Sequence, residues 1–121
     1  MQSKQIERQC CCIGKKKVVI KKFKKEEDWK EEVQILSQIS HKNVLSMIAH
    51  FNLQSKCIVT PFMSHGTLTQ YFAKYKPDNE VIRVTRDIIS GLQEIHNHGI
   101  IHLDLKPDNI FIDQDGNAKN C

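Results

Sequence analysis

The sequence lacks paired cysteines, long apolar runs and a secretion signal. Its five cysteines, Cys10, Cys11, Cys12, Cys57 and Cys121, are odd in number and show no C-x-x-C spacing, which argues against a zinc ribbon or a disulfide framework. Residues 1–9 are polar, and no apolar run approaches the roughly 18 residues of a membrane span. We therefore expect reduced thiols, no membrane partner and a cytoplasmic location, with the nucleus as the alternative.

Proline and glycine are also scarce, at three and five residues in 121. No linker rich in proline, glycine or serine divides the chain, and no internal repeat is present. A chain of this length with 40% hydrophobic residues can form one compact core. Gly14 is the only glycine before Gly66, so no G-x-G-x-x-G phosphate loop precedes residue 66.

Positive charge is concentrated in one short stretch. The net charge is only +4, yet residues 15–25 contain Lys15, Lys16, Lys17, Lys21, Lys22, Lys24 and Lys25. Such a cluster can attract nucleic acid or act in nuclear import. Because these lysines flank a predicted edge strand over residues 17–23, where charge prevents pairing with other edges, we favour a solvated surface and do not expect a nucleic-acid partner.

Apolar periodicity predicts the secondary structure. Residues 1–12 are expected to form a loose N-terminal segment, in which 10–13 could add a stub of strand before a turn at Gly14. Helices are predicted over 26–39, 67–75 and 80–97. Strands are predicted over 18–21, 45–52, 56–60 and 110–112, and the last is followed by a hairpin turn at 113–117.

Residues 102–109 read His-Leu-Asp-Leu-Lys-Pro-Asp-Asn and bring three kinds of polar group close together. The Asp104 carboxylate can accept the proton of an attacking hydroxyl, and the Lys106 ammonium can stabilise charge on a transferred phosphoryl group. The Asn109 amide oxygen can hold magnesium. This trio is typical of phosphoryl transfer, and the competing interpretation is a charged turn between two strands.

The octet resembles the catalytic loop of eukaryotic protein kinases, H-R-D-L-K-x-x-N, with leucine in place of arginine. Val18-Val19-Ile20-Lys21 resembles the V-A-I-K strand of that family, and residues 41–44 resemble its H-x-N-[IV] turn. Residues 57–68 are similar to the kinase hinge. The order of these segments along the chain is the order that the kinase fold uses.

This resemblance implies an α+β, protein-kinase-like two-lobe fold in truncated form. The small lobe would contain an antiparallel sheet and one helix, followed by the start of a helical large lobe. We expect residues 13–121 to form a partial kinase domain, with the small lobe reaching about residue 61, the hinge at 61–66 and a partial large lobe over 67–121.

The resemblance also implies a site for ATP. Lys21 would contact the α and β phosphates and would be held by an ion pair with Glu32, with Glu31 as the competing choice. The stretch between Lys21 and Glu32 is shorter than is usual in the family, which counts against this ion pair.

In the hinge, the resemblance makes Thr60 the gatekeeper. The Pro61 carbonyl would accept a hydrogen bond from the adenine amino group, and the Met63 N–H would donate one to the adenine ring. Proline has no N–H, but this contact requires only its carbonyl oxygen.

The predicted function is a protein kinase that uses ATP and Mg²⁺ and acts on serine or threonine hydroxyls of a protein substrate. Lys106 resembles serine/threonine kinases, whereas residues 58–68 resemble tyrosine-kinase-like sequences, and a tyrosine-kinase-like serine/threonine kinase reconciles the two. The glycine-rich loop is missing and Cys121 precedes any D-F-G motif, so we expect an incomplete catalytic domain. The alternative is a catalytically inactive kinase-like remnant that binds nucleotide or a protein partner.

Overall fold

A computed structural model of the chain describes residues 6–75, 78–100 and 105–120. The chain divides into two compact units, of which unit 1 contains Met1–Gln38 with Ser46–Phe62, and unit 2 contains Ile39–Leu45 with Met63–Cys121. The predicted small lobe included every residue from 13 to about 61, so the assignment of Ile39–Leu45 to unit 2 differs from that prediction. The α+β class is confirmed.

Unit 1 is built on a four-stranded antiparallel sheet in the order β1-β2-β4-β3. Its strands are β1 (Ile6–Ile13), β2 (Lys16–Phe23), β3 (Ala49–Asn52) and β4 (Lys56–Pro61). Helix α1 (Glu26–Gln38) connects β2 to the segment that precedes β3. Its acidic first turn, Glu26, Glu27 and Asp28, suits the positive end of the helix dipole.

Strand β1 corrects the prediction that residues 1–12 form a loose segment. Each of its eight residues has a partner in β2, from Ile6 opposite Phe23 to Ile13 opposite Lys16. None of these eight residues is fully buried. Their sequence also lacks the alternation of apolar and polar residues that is typical of a strand with one buried face. Backbone pairing with β2 holds this strand in place, and a hydrophobicity pattern does not report such pairing.

Strand β2 was predicted at a sheet edge, and this prediction is wrong because β2 lies between β1 and β4. Val18 and Phe23 of this strand are buried, whereas Lys16, Lys17 and Lys22 are exposed. A lysine can stand on a central strand because its long aliphatic stem carries the ammonium out to water.

Unit 2 contains two longer helices and a small sheet. They are α2 (Leu68–Tyr75), α3 (Val81–Asn97), β5 (Ile110–Ile112) and β6 (Ala118–Asn120). The core of this unit is formed by apolar side chains from all four elements, namely Leu68, Tyr71, Val84, Ile110, Ile112 and Ala118. The helix bounds agree with the predicted ones to within one residue at each end.

The predicted strand over 45–52 begins only at Ala49, and its predicted first residue, Leu45, is bound in unit 2. The Leu45 N–H donates to the Asn120 carbonyl oxygen at 2.7 Å, and the Asn120 N–H donates to the Asn43 carbonyl oxygen at 2.9 Å. Asn43 Nδ2 donates to the Ala118 carbonyl oxygen at 2.9 Å. Segment 39–45 is therefore tied to β6 within unit 2.

A glycine in α3 permits this attachment. A Cβ added to Gly91 would overlap the Asn43 carbonyl oxygen and Asn120 Nδ2. Asn120 Nδ2 donates to the carbonyl oxygens of Asn43 and Ile88, each at 3.2 Å. The backbone of segment 39–45 can thus approach α3 this closely only because Gly91 has no side chain.

In the part of the chain that the structure describes, no helix is both long and apolar enough to cross a membrane.

Candidate functional site

Lys21 and Glu32 form an ion pair inside unit 1. Lys21 Nζ lies 2.7 Å from Glu32 Oε2, and the two side chains are 3% and 17% exposed. The expectation that a short connection would prevent this pair is wrong. Lys21 sits near the end of β2 and Glu32 lies in the second turn of α1, which begins directly after the strand, so the short stretch is sufficient.

Burial makes this pair different from a surface salt bridge. Lys21 is 2% exposed as a whole residue, and its ammonium also lies 5.8 Å from the centre of the Phe23 ring. A buried ammonium is tolerated only where a counter-charge and hydrogen bonds compensate the loss of water. Glu32 supplies that charge, whereas Glu31, the competing choice, is exposed on α1. The structure brings Lys21 and Glu32 together, as predicted for the first choice.

Thr60 and Pro61 end strand β4. Thr60 is buried and stands opposite Val19 of β2, while Pro61 is half-buried and stands opposite Val18. Because residues directly opposite each other project from the same face of a sheet, Thr60, Val19 and, two positions along β2, Lys21 share one face. Thr60, the predicted gatekeeper, therefore lies on the face of the sheet that carries Lys21.

Met63 belongs to unit 2 and begins a turn. Its carbonyl oxygen accepts a hydrogen bond from the Gly66 N–H at 3.0 Å, and Gly66 has a φ of 72°, which favours glycine. The Met63 side chain is buried. This turn engages the carbonyl of Met63 and not its N–H, which is the group that the predicted hinge contact requires.

Lys106 and Asn109 lie on one tight turn of unit 2. Pro107–Asn109 forms a 3-10 helix, and the Asn109 N–H donates to the Lys106 carbonyl oxygen at 2.9 Å. Lys106 is exposed and Asn109 is half-buried. The third member of the predicted trio, Asp104, lies outside the described residues.

The same turn is connected to helix α2. The Thr69 hydroxyl donates to Asp108 Oδ1 at 3.1 Å. The strand that follows the turn, β5, pairs with β6 and contributes Ile110 and Ile112 to the core. The positions of Lys106 and Asn109 are therefore set by a folded framework on both sides.

Trp29 contacts this region and is not among the residues that the sequence predicts for the site. Its indole N–H donates to the Cys57 carbonyl oxygen in β4 at 3.0 Å. It stands three residues before Glu32 on α1, so the two side chains leave the same face of the helix. That spacing, in the only tryptophan of the chain, was a signal available in the sequence.

The surroundings of Tyr71 in helix α2 perturb the pKa of its hydroxyl. Its hydroxyl donates to Glu80 Oε2, and this hydrogen bond, together with burial and the negative charge of Glu80, raises the pKa of Tyr71. Arg83 acts in the opposite direction and lies 3.4 Å from Glu80 Oε1. Tyr71 belongs to the core of unit 2, and this cluster contains none of the predicted site residues that the structure describes.

Comparison with known proteins decides the family. The model of the protein kinase domain matches residues 4–121. The chain belongs to the protein kinase family. This match begins within the segment that was predicted to be loose, in agreement with the pairing of β1. The antiparallel sheet and helix of unit 1 and the helices of unit 2 agree with the α+β, protein-kinase-like fold that the sequence predicts.

Three kinase relatives illustrate the similarity. The kinase chain is 35% identical over 101 residues to the serine/threonine/tyrosine-protein kinase HT1 of Arabidopsis thaliana, covering 79% of this chain and 26% of HT1. It is 34% identical over 96 residues to human myosin light chain kinase 3, covering 76% of this chain and 12% of that kinase. It is 33% identical over 91 residues to the serine/threonine-protein kinase STY17 of Arabidopsis thaliana, covering 72% of this chain and 16% of STY17. The chain thus spans about a quarter or less of these relatives.

Proposed function

We propose that this chain is part of a protein kinase that transfers the γ-phosphate of ATP to serine or threonine hydroxyls of a protein substrate. The observation that carries the proposal is the Lys21–Glu32 ion pair, at 2.7 Å, in which the lysine side chain is only 3% exposed. A lysine that contacts phosphates needs a fixed ammonium, and a paired carboxylate provides it. The serine/threonine kinases among the relatives support the choice of substrate hydroxyl.

Nucleotide binding is assigned to five residues. Lys21 holds the α and β phosphates and Glu32 orients it, while Thr60 borders the adenine as gatekeeper. The Pro61 carbonyl accepts from the adenine amino group, and the Met63 N–H donates to the adenine ring. The fit is supported by the chemistry of the donor, because an ammonium only donates hydrogen bonds and phosphate oxygens accept them.

The chemical step is assigned to the loop that contains Lys106. Asp104 accepts the proton of the attacking hydroxyl, and Lys106 stabilises the charge on the transferred group. Asn109 is the proposed ligand of Mg²⁺, a cation that prefers oxygen donors and that supplies neutralisation of phosphate charge when bound. The tight turn at Pro107–Asn109 supports these roles because it keeps Lys106 and Asn109 at a constant separation.

Nucleotide-dependent thermal unfolding tests the binding part of the proposal. A ligand at 100 times its Kd stabilises the folded state by about 2.7 kcal/mol, so millimolar ATP with magnesium is expected to raise the Tm measurably. Lys21→Ala and Asn109→Ala should reduce this rise. Lys22→Ala is the matched control. Lys22 is the exposed neighbour of Lys21 in the sequence, so this variant should show the same rise in the Tm as the unmodified protein. No rise in the Tm at millimolar ATP would contradict the assignment.

Phosphate transfer is measured separately, with γ-labelled ATP and a serine- and threonine-containing protein substrate. Asp104→Asn is expected to abolish transfer and to preserve the thermal shift, since the substitution removes the proton acceptor and keeps the size of the side chain. A thermal shift without any transfer by the unmodified chain would favour the inactive, nucleotide-binding remnant. The exposed free thiols of Cys10 and Cys12 support a reducing compartment, the cytoplasm or the nucleus, as the place of action.

A further inference from the structure

Helix α1 carries Glu32, yet it packs loosely. All thirteen residues of α1 are described, and none of them is fully buried. The apolar side of α1, which includes Trp29, Val33 and Leu36, is only half-buried, so packing alone fixes its rotation and its distance from the sheet less firmly than a fully buried stripe would. Directed contacts of single side chains must therefore contribute strongly to its placement.

Trp29 makes two such contacts. Its indole N–H donates to the Cys57 carbonyl oxygen at 3.0 Å, and Cys57 is a buried residue of β4. Its ring also meets the His50 ring of β3 edge to face, with 6.0 Å between the centroids and an angle of 61°. Aromatic rings prefer this geometry, and a fixed carbonyl oxygen defines the direction of the indole N–H.

These contacts lie next to the ion pair. Cys57 precedes Ile58 in β4, and Ile58 is the residue that stands opposite Lys21 of β2. On the helix side, Trp29 and Glu32 are three residues apart and project from the same face. The indole therefore contacts β4 and β3 of the sheet, and one helical turn further along α1 the carboxylate contacts the neighbouring strand β2.

We propose that Trp29 is a positioning residue, which holds α1 at the rotation and height at which Glu32 reaches Lys21. Each step of one residue turns a helix by about 100°, so even a fraction of such a rotation takes the Glu32 carboxylate out of hydrogen-bond range of the ammonium. Trp29 acts through Glu32 and touches no reacting group. Its importance for nucleotide binding rests on the proposed function, whereas the positioning itself does not.

Competitive acylation of lysines tests this proposal in the whole chain without nucleotide. A limiting amount of acetic anhydride is added, and the acetylation rate of each lysine is read by peptide mass spectrometry. In the unmodified protein, Lys21 is expected to react far more slowly than the exposed Lys22 and Lys24, because it is buried and paired. Trp29→Phe keeps an aromatic ring and removes the N–H donor.

Trp29→Phe is expected to raise the acetylation rate of Lys21 roughly fivefold, as the loss of one ordinary hydrogen bond shifts an open–closed equilibrium by about that factor. The rates of Lys22 and Lys24 should stay unchanged. Glu32→Gln should raise the Lys21 rate at least as much. Adding Trp29→Phe to Glu32→Gln should produce little further increase, because Trp29 acts through the missing carboxylate.

Val18→Ala is the matched control for a general loss of stability. Val18 is 1% exposed and projects from the face of β2 that does not carry Lys21, so its truncation weakens unit 1 without touching the pair. Under native conditions its Lys21 rate should equal that of the unmodified protein. An unchanged Lys21 rate in Trp29→Phe, or an equal increase in Val18→Ala, would overturn the proposal.

Tryptophan fluorescence provides a second test that keeps Trp29 in place. Because Trp29 is the only tryptophan, its quenching by acrylamide reports on the contact of α1 with the sheet. Coupling between two sites is reciprocal, so Glu32→Gln is expected to raise the quenching constant, and Glu31→Gln is not. Equal quenching in the unmodified protein and in Glu32→Gln would count against the proposal. ATP is absent from both tests, so their failure is distinct from a failure of the proposed function.

Discussion

At the scale of single residues, the energetics of the Lys21–Glu32 pair are asymmetric. Removing Glu32 takes its counter-charge away from the Lys21 ammonium, which is only 3% exposed, and costs several kcal/mol, whereas removing Lys21 leaves the Glu32 carboxylate, which is 17% exposed and can be hydrated at a lower cost. We expect Glu32→Leu to lower the free energy of unfolding by about 3 kcal/mol, and Lys21→Met to lower it by less, about 1 kcal/mol or under. Urea unfolding followed by circular dichroism measures both values.

The control for this prediction is Glu31→Leu. Glu31 is exposed on α1, and exposed ion pairs contribute about 0–1 kcal/mol, so this variant should stay within 1 kcal/mol of the unmodified protein. If Lys21→Met were as damaging as Glu32→Leu, the Lys21 side chain would be contributing packing rather than a paired charge, and the asymmetry of the pair would be refuted.

Tyr71 predicts a pH dependence of stability. The hydrogen bond to Glu80 raises the pKa of Tyr71 in the folded state above the value of about 10 in the unfolded chain. The stabilisation is therefore fully present below pH 10 and is lost as the pH rises through the folded pKa, because the unfolded chain releases the proton first. In Tyr71→Phe, the alkaline decline of the Tm is expected to be shallower. Thermal scans between pH 7 and 11 measure it.

Tyr75 offers the comparison for this titration. It is an exposed tyrosine of the same helix, with its ring 5.2 Å from that of Tyr71. Tyr75→Phe should keep the steep alkaline decline of the unmodified protein. Identical profiles for Tyr71→Phe and the unmodified protein would show that the Glu80 hydrogen bond does not govern the titration.

At the scale of elements, Gly91 predicts an unusual response of α3. Replacing glycine by alanine inside a helix normally stabilises it by about 1 kcal/mol. Here the added Cβ would overlap two atoms of the buried asparagine network, so Gly91→Ala is expected to destabilise the protein by about 1–3 kcal/mol. Gln93→Ala, at an exposed position of the same helix, should change the stability by less than about 0.5 kcal/mol. Chemical denaturation compares the two.

The elements differ in how well the sequence predicts them. Helices α1, α2 and α3 were found to within one residue at each end, because their patterns of apolar residues are local. Strand β1 was predicted only as a stub over residues 10–13, since it buries no residue completely and its partners in β2 lie beyond the turn at Gly14. The edge position of β2 was wrong for a related reason, as strand order is a property of long-range pairing.

The candidate site shows the same division. The identities of Lys21 and Glu32 came from motif resemblance, and the structure brings them together at 2.7 Å. The small number of residues between them led to the wrong expectation that the ion pair would not form. Helix α1 begins at Glu26, directly after β2 ends at Phe23, so few residues are needed to connect the two. The contact of Trp29 with Cys57 joins residues 28 positions apart, and no local pattern reports such a contact. The roles of Asp104, Lys106 and Asn109 stay predictions.

At the scale of the whole molecule, the chain passes between its two units three times, after Gln38, Leu45 and Phe62. Segment 39–45 therefore has its partners in unit 2, although both of its neighbours in sequence belong to unit 1. We expect a fragment of residues 1–62 to lose the amide protection of Leu45, because that N–H is bound to the Asn120 carbonyl oxygen in the intact chain. Hydrogen exchange with mass spectrometry measures it.

Amides of β2 and β4 are the internal reference in the same experiment, since their partners are all contained in residues 1–62. They should keep their slow exchange in the fragment if the sheet of unit 1 folds without residues 63–121. Slow exchange of Leu45 in the fragment would contradict the assignment of segment 39–45 to unit 2.

The triple passage of the chain also bears on how this protein can be divided. A cut in the turn that begins at Met63 leaves a first piece whose residues 39–45 still insert among β6 and α3 of the second. Cleaved molecules should thus stay associated without a covalent link, and separately made halves should find each other in solution. That property suits the protein to fragment complementation, in which the buried Asn43 and Asn120 would join the two fragments.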